Sequence, residues 1–507
     1  MIGMIDVTGL PSALPARIDA IVRRHAVATP DAPALQDDGR TLSYAQLASE
    51  IDACAAWLRG FEVQAGERVM LVSENGIAQV AALFAIASLD AWVVNVNARL
   101  TAAELEAIRS HCGARVVLYT AAVSPDAAAH AARAGAQAHG ELMASVHVDV
   151  DRAEPEPMTA QPVAAGSPAA LVYTTGTTGN PKGVMLSHRN LLFVAAVSSR
   201  LRGLVPGDLA YGVLPVSHVY GLTSVLLGTL YAGACLRLSP RFTPRAMLDA
   251  IRHEGLSIVQ GVPAMYARLL ELCALEGVAA PLASTLRFAY AGGSPLDPSL
   301  KRDVEALLGV PLHNGYGLTE AAPTVSQTRL DAPRADTSVG YPIPGVEVRV
   351  EGPDGKLFVR GPNVMLGYYR DPAATASVLG EDGWLDTGDL ARQDADGALF
   401  IHGRSKELII RSGFKVYPLE VETVLNAHPA VTQSAVVGRV LADGNEEVVA
   451  FVQPVAGSDL APDALADWAA ARLAPYKRPA RIVFMAQLPA AASGKVLKHR
   501  LKVDSLA

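Results

Sequence analysis

Apolar positions along the first 120 residues alternate between two periods. Leu47, Ile51, Cys54 and Leu58 return every three or four residues, which is the spacing of one helix face. Ser43-Tyr44-Ala45-Gln46 in front of them is a capping box, with the serine as N-cap and the glutamine reaching back, and Gly60 ends the run. Arg68 to Val72 predicts a strand, Ala78 to Ala87 a buried helix, and Trp92 to Asn95 another strand. Thr101-Ala102-Ala103-Glu104 is a second capping box whose helix closes near Gly113, and Arg115 to Tyr119 predicts a strand again. Strand alternating with helix implies a parallel sheet covered on both faces.

Ala121 to Ser167 breaks this pattern. It is rich in Ala, His and Pro, contains Glu154-Pro155-Glu156-Pro157, and reads in part as a surface connection. Beyond it Ala169 to Val172, Leu209 to Leu214, Ser257 to Gln260, Leu286 to Tyr290 and Val310 to His313 predict strands. Helices lie between them, one opening at Pro263 and another at Asp297-Pro298. From Val339 the texture changes to short β segments split by Gly and Pro: Val346 to Val350, the turn Pro353-Asp354-Gly355-Lys356, then Leu357 to Val359. A compact α+β tail of about a hundred residues follows, a size typical of a separate domain. The expected fold is α/β, with a large N-terminal domain at residues 1–405 that includes a β subdomain at 338–403. A small mobile α+β domain is expected at 406–507.

Composition adds bounds. Half of the 507 residues are hydrophobic and 18% are charged, so sizeable cores are expected and disorder is not. A net charge of −7 gives no reason to expect nucleic acid or an anionic membrane as partner. Cys54, Cys112, Cys235 and Cys273 lie far apart and read as buried free thiols in a reducing compartment. Met1 to Leu14 lacks a basic region followed by a long apolar run, and the most apolar segment, Ala78 to Val96, is interrupted by Asp90. No signal peptide or transmembrane segment is therefore expected, and the expected location is cytoplasmic.

The candidate chemistry centres on Tyr173-Thr174-Thr175-Gly176-Thr177-Thr178-Gly179-Asn180-Pro181-Lys182-Gly183. Glycines let a backbone fold closely around a polyphosphate so that amide N–H groups point at its oxygens. The threonine hydroxyls are further donors and Lys182 supplies a positive charge. An apolar strand leads in, and Ser187-His188-Arg189-Asn190 opens a helix after it. No Gly-Lys-Ser/Thr closes the loop, which separates it from Walker-type loops.

The stretch resembles the signature loop of the AMP-forming acyl-adenylate superfamily, which includes acyl-CoA synthetases, luciferases and peptide-synthetase adenylation domains. Motifs similar to that family's run in order from about Ala26 to Lys498, and the resemblance implies their roles. In His313-Asn314-Gly315-Tyr316-Gly317-Leu318-Thr319-Glu320, Asn314, Gly315, Tyr316 and Gly317 belong to the adenylate pocket. Tyr316 stacks on adenine, Thr319 bonds the α-phosphate, and Glu320, with Thr174, holds Mg²⁺. Tyr290-Ala291-Gly292-Gly293-Ser294 forms the adenine-side wall, a plain tight turn being the alternative. Asp389, in Asp386-Thr387-Gly388-Asp389, and Arg404 bond the ribose. Thr174, Thr175, Gly176, Thr177, Thr178 and Lys182 surround the phosphates. Lys406 takes the hinge position, where many members carry Asp and others Lys, and Gly413-Phe414-Lys415 the pantetheine tunnel. Pro489 to Val496 matches the catalytic-lysine motif, with Lys495 bridging carboxylate and α-phosphate; alone it reads as a basic tail with Lys498 and Arg500. His218, in Leu214-Pro215-Val216-Ser217-His218-Val219-Tyr220-Gly221, is a gate between acyl pocket and thiol tunnel or, as the alternative, a satisfied core histidine.

The implied function is an ATP- and Mg²⁺-dependent acyl-CoA synthetase: a carboxylate becomes acyl-AMP with release of pyrophosphate, and coenzyme A then takes the acyl group. The segments that wall the acyl pocket bring His218, Val219, Tyr220, Gly261, Tyr290 and Ala291, and no arginine or lysine occurs among them. A hydrophobic monocarboxylate is therefore expected, with fatty acid favoured. A benzoate- or cinnamate-type acid stands second, and loading of a separate carrier protein remains an alternative. A homodimer, and a lysine acetyltransferase acting on Lys495, are left open as partners.

Overall fold

The computed structural model describes residues 14–38, 40–138, 146–150, 166–175, 181–441, 445–455, 457–490 and 496–501. Both capping boxes form. Ser43 starts the helix Tyr44–Arg59 and Thr101 the helix Ala102–Cys112, which ends on Gly113 in the left-handed conformation at φ 61°. Gly113 can adopt that conformation without the steric cost a Cβ would add. A third box, Ser187 with Asn190, opens the helix His188–Leu201.

Among the described residues two large sheets dominate. One has nine strands and carries Phe288–Ala291 between Leu312–Gly317 and Ile258–Gly261. The other has eight and carries Pro168–Thr175 between Pro181–Ser187 and Trp92–Asn97. The helices Ile77–Ser88 and His188–Leu201 are buried on nearly every side, and both belong to the main core cluster. Apolar residues all round a helix call for packing on all its faces. The α/β expectation holds, although both sheets are mixed and not purely parallel.

The helix expected after the signature stretch opens at Ser187, and two features are added to the sequence reading. A strand precedes that helix: Pro168–Thr175 pairs antiparallel with Pro181–Ser187, in a register that sets Thr174 opposite Lys182. Pro181 opens the second of these strands, where its missing N–H is tolerated. The segment from Ala121 to Ser167 contains the helix Pro125–Ala134 and the strand Val146–Val150, which pairs antiparallel with Val116–Thr120 on one side and with the edge strand Gln137–Ala138 on the other. Glu154 to Pro157 lies outside the described residues.

A four-stranded antiparallel sheet follows, built from Glu347–Glu351, Lys356–Arg360, Leu385–Gln393 and Leu399–Arg404. The C-terminal part holds the hairpin Ile409–Arg411 with Phe414–Val416, and the sheet Val431–Val440, Glu446–Pro454 and Arg481–Phe484 over its own core. Among the described residues no helix is long and apolar enough to cross a membrane.

Candidate active site

Residues from distant parts of the chain meet where the strand Leu312–Gly317 ends. Gly315 and Gly317 permit the crowding: a Cβ on Gly315 would lie 1.9 Å from the Tyr290 hydroxyl, and one on Gly317 2.3 Å from the Pro323 carbonyl. Between them Tyr316 donates its hydroxyl to Asp389 Oδ2 at 2.5 Å. Strand register sets Asp389 opposite Arg404, whose Nε lies 3.3 Å from Asp389 Oδ1. Burial and the neighbouring carboxylate push the Tyr316 phenol well above its ordinary pKa, so it stays protonated and donates. Burial works against the Arg404 charge, but Asp389 and Glu407 outweigh it and hold its pKa above the usual value. Asn314 is locked in place by its amide, which donates to the Thr337 and Ser338 carbonyls at 3.1 Å.

Glu320 stands one short turn further on, in the 3₁₀ segment Thr319–Ala321, where Thr319 is buried. Its Oε1 accepts from the Tyr368 hydroxyl at 2.9 Å, and Lys182 Nζ lies 4.7 Å from the centre of the Tyr368 ring. Tyr368 therefore links the hairpin lysine to the carboxylate. Glu320 and the Thr174 hydroxyl are oxygen donors of the kind a hard cation takes, with phosphate and water completing its shell, so these residues fit Mg²⁺. Bound there, the ion would neutralise phosphate charge. Gly176, Thr177 and Thr178 lie outside the described residues, as does the side chain of Thr175.

The expected acyl wall is assembled from three elements. Gly292 N–H donates to the Gly261 carbonyl at 3.1 Å, joining two strand ends, and Gly293 takes φ +82° before Ser294. Tyr220 opens a π-helix, Tyr220–Leu227, a rare form that concentrates at functional sites. A Cβ on Gly221 would lie 2.1 Å from the Pro215 carbonyl, which accounts for the glycine after Tyr220. The Tyr220 and Tyr290 rings meet edge to face at 6.2 Å, and Phe288 stacks on Tyr290 at 6.2 Å. Val219 and Ala291 are fully buried beside them. His218 is exposed, and its Nδ1 accepts from the Tyr220 N–H at 3.3 Å, which places it at the rim and not in the core.

One residue of this wall was not foreseen. Arg202, at the C-cap of His188–Leu201, is 1% exposed and lies 4.5 Å from the centre of the Tyr290 ring. Its Nη1 donates to Gln260 Oε1 at 2.6 Å and to the Ser224 carbonyl at 3.2 Å. The expectation of a wall without cations is thus corrected: the motif segments hold none, but Arg202 reaches the wall from a helix end 58 positions before Gln260.

The hinge candidate Lys406 is exposed in the 3₁₀ segment Ser405–Glu407. Of the tunnel candidates, Lys415 is paired with Asp354 in the turn between Glu347–Glu351 and Lys356–Arg360, Phe414 stacks on Tyr476 at 4.7 Å, and Gly413 takes φ +80° at the hairpin tip. Lys495 lies outside the described residues; residues 496–501 lie within them. Lys498 bridges Glu407 at 2.9 Å and Glu422 at 2.8 Å, and Arg500 reaches Glu104 of the large domain at 3.4 Å. Burial lowers the Lys498 pKa, but the two carboxylates outweigh it and raise the pKa overall. Taken alone the motif reads as a basic tail, but Lys498 is tied to two carboxylates and is not a solvated tail residue.

This geometry defines a class of enzyme that activates an acid with a nucleotide. The chain belongs to the AMP-binding enzyme family: the family model matches residues 22–369, and that of the AMP-binding enzyme C-terminal domain matches 420–495. It is 35% identical to feruloyl-CoA synthase of Amycolatopsis sp over 490 residues, covering 94% of this chain and 97% of that protein. It is 32% identical to a long-chain-fatty-acid–CoA ligase of Yersinia pestis over 554 residues, covering 98% and 97%. Among solved structures, ATP-bound MatB from Rhodopseudomonas palustris superposes with a TM-score of 0.81 at 30% identity, covering 95% of this chain and 97% of that one. The protein is an AMP-forming acid–thiol ligase that uses ATP, Mg²⁺ and coenzyme A.

Proposed function

We propose that this ligase acts on an aryl acid, converting it to the aryl-AMP and then to the coenzyme A thioester. The observation that carries this reading is the aromatic wall. Tyr220, Tyr290, Phe288 and Tyr266 are all buried, and in this reading Tyr220 and Tyr290 present their rings to a planar substrate. A saturated chain would gain only area from such a wall, whereas an aromatic acid also gains ring contacts of about 0.5–1.5 kcal/mol each. The feruloyl-CoA synthase relative supports it; the fatty-acid ligase relative keeps the alkyl acid as the competing reading.

In this reading Tyr316 stacks on adenine, while Asp389 and Arg404 hold the ribose. Lys182 and the Thr174–Thr178 loop receive the phosphates, with Thr319 on the α-phosphate. Lys495 lies between the acid's carboxylate and that phosphate, offsetting charge as the carboxylate oxygen attacks phosphorus and pyrophosphate departs. The thiol then attacks the acyl carbon and AMP leaves. His218 gates the passage between acid and thiol, the tip Gly413-Phe414-Lys415 lines the thiol's approach, and Lys406 turns the small domain between the two steps.

Competition tests the acid. Purified protein with MgATP, coenzyme A and an equimolar mixture of benzoate, cinnamate, ferulate, octanoate and palmitate is expected to form mainly an aryl thioester by mass spectrometry. Octanoyl- or palmitoyl-CoA as the main product would replace the aryl reading with the alkyl one.

A further inference from the structure

Arg202 is a buried cation with no anion. Among the described residues no carboxylate pairs with it; Gln260 Oε1 and the Ser224 carbonyl take only Nη1. Nε and Nη2 are buried and without a hydrogen-bond partner. These two N–H groups lie on one edge of the planar guanidinium and point the same way, which is the fork that receives two oxygens in parallel or one oxygen twice. Gln260 Nε2 and the Tyr220 hydroxyl are likewise buried and unpaired. The unused donors therefore belong to the same group of side chains: Arg202 touches Gln260 and the Tyr290 ring, and Tyr290 touches Tyr220.

A structural role alone does not account for this. Stacking on Tyr290 offsets part of the desolvation of a buried guanidinium, but well short of all of it, and buried donors are ordinarily paired. Packing between His188–Leu201 and the π-helix could be met by an apolar side chain of similar length. The Tyr290 hydroxyl also faces the guanidinium, but it is a neutral phenol, Nε and Nη2 still have no hydrogen-bond partner, and the molecule read as entering this wall is the acid.

We propose that the acid carries a second oxygen acceptor at the end remote from its reacting carboxylate, and that Arg202 receives it through its free Nε–Nη2 edge. The inference rests on the reading of Tyr220 and Tyr290 as the acid's wall. The shared chemistry is an oxygen with lone pairs for two N–H groups, which a second carboxylate or a phenolic oxygen on an aryl acid both supply. Such a site discriminates strongly, because an acid without the oxygen leaves the buried donors unpaired.

Matched acids test this. Thioester formation is measured with cinnamate, 4-hydroxycinnamate and 4-carboxycinnamate, and in parallel with octanoate and octanedioate. The wild type is expected to prefer the better oxygen-bearing cinnamate over cinnamate at least tenfold in kcat/KM. In Arg202→Met that ratio is expected to fall within about threefold of unity, while MgATP still raises the melting temperature and so reports a folded nucleotide site. If Arg202→Met shows no MgATP shift, Arg202→Lys, which keeps the cation and loses the fork, is read instead, with the ratio expected to fall at least fivefold. The 4-hydroxy acid ahead of the 4-carboxy acid identifies a phenolic oxygen as the partner, and the reverse order a carboxylate. A wild type indifferent to the distal oxygen in both series, or a variant that folds and keeps the full preference, overturns the proposal. Turnover of the alkyl pair alone overturns the aryl reading, and the octanedioate-to-octanoate ratio then decides the role of Arg202 by itself.

Discussion

Tyr316 and Asp389 are 73 positions apart and share a 2.5 Å hydrogen bond. Tyr316→Phe keeps the ring, so the proposed stacking on adenine survives, but leaves Asp389 with one donor fewer. A lost hydrogen bond to a charged group costs about 1.5–3 kcal/mol. The expected result is a roughly tenfold rise in KM for ATP with a much smaller change in kcat; an unchanged KM would show that Asp389 needs no help from Tyr316. The motif residues could be picked out from the sequence because each sits in a short run whose residue types and order are distinctive. Arg202 could not, since a single arginine at the end of an apolar helix carries no local sign of its burial. Its neighbours Gln260 and Tyr290 come from two different strands, and only the folded sheet brings them together.

Among elements, the strands and helices that open with a cap or alternate regularly were legible, including the first two capping boxes. The hairpin strand Pro181–Ser187 was not, because Pro, Lys and Gly at its start carry turn signals that mask the apolar positions Val184 and Leu186. The π-helix Tyr220–Leu227 was hidden for a different reason: an apolar run gives the same periodicity signal whichever helical form tertiary packing selects. Lys498 belongs to this scale, since it ties the last described segment to Glu407 and to Glu422 of the helix Pro418–Asn426. Lys498→Met removes the cation that Glu407 and Glu422 share, three residues from Lys495 in the sequence. Pyrophosphate release is expected to slow roughly tenfold or more, with conversion of supplied acyl-AMP to thioester affected less. Equal slowing of both steps would mean that Lys498 supports the whole small domain and not the lysine segment.

For the whole molecule, two buried imidazoles tie stability to pH. Burial depresses His188 to about 4, with the Arg17 charge adding to it and Asp19 opposing. Burial also depresses His313 to about 4, helped by the Lys301 charge. In the unfolded chain both would titrate near 6.5. Between pH 6.5 and about 4 the unfolded state therefore binds more protons, so stability falls as pH falls, by about 1.4 kcal/mol per pH unit for each histidine. The contribution is complete above 6.5 and lost progressively below it. The melting temperature is expected to drop between pH 7 and pH 5, and less steeply in His188→Gln, whatever that variant's stability at pH 7. A parallel slope in the variant would contradict the assignment to His188.

The overall architecture was legible from the alternation of strand and helix followed by a change of texture near Val339. The pairing of the strands was not, because parallel and antiparallel neighbours with both faces buried read alike as apolar runs. Those pairings set Phe288–Ala291, which carries Tyr290, beside Leu312–Gly317, which carries Tyr316, and the central claim is that an aryl acid is activated there before the thiol takes part. ATP–pyrophosphate exchange measured without coenzyme A tests that claim most directly. The account predicts exchange that depends on added acid and is fastest with an aryl acid. Exchange that requires coenzyme A, or that is fastest with a saturated fatty acid, would contradict it.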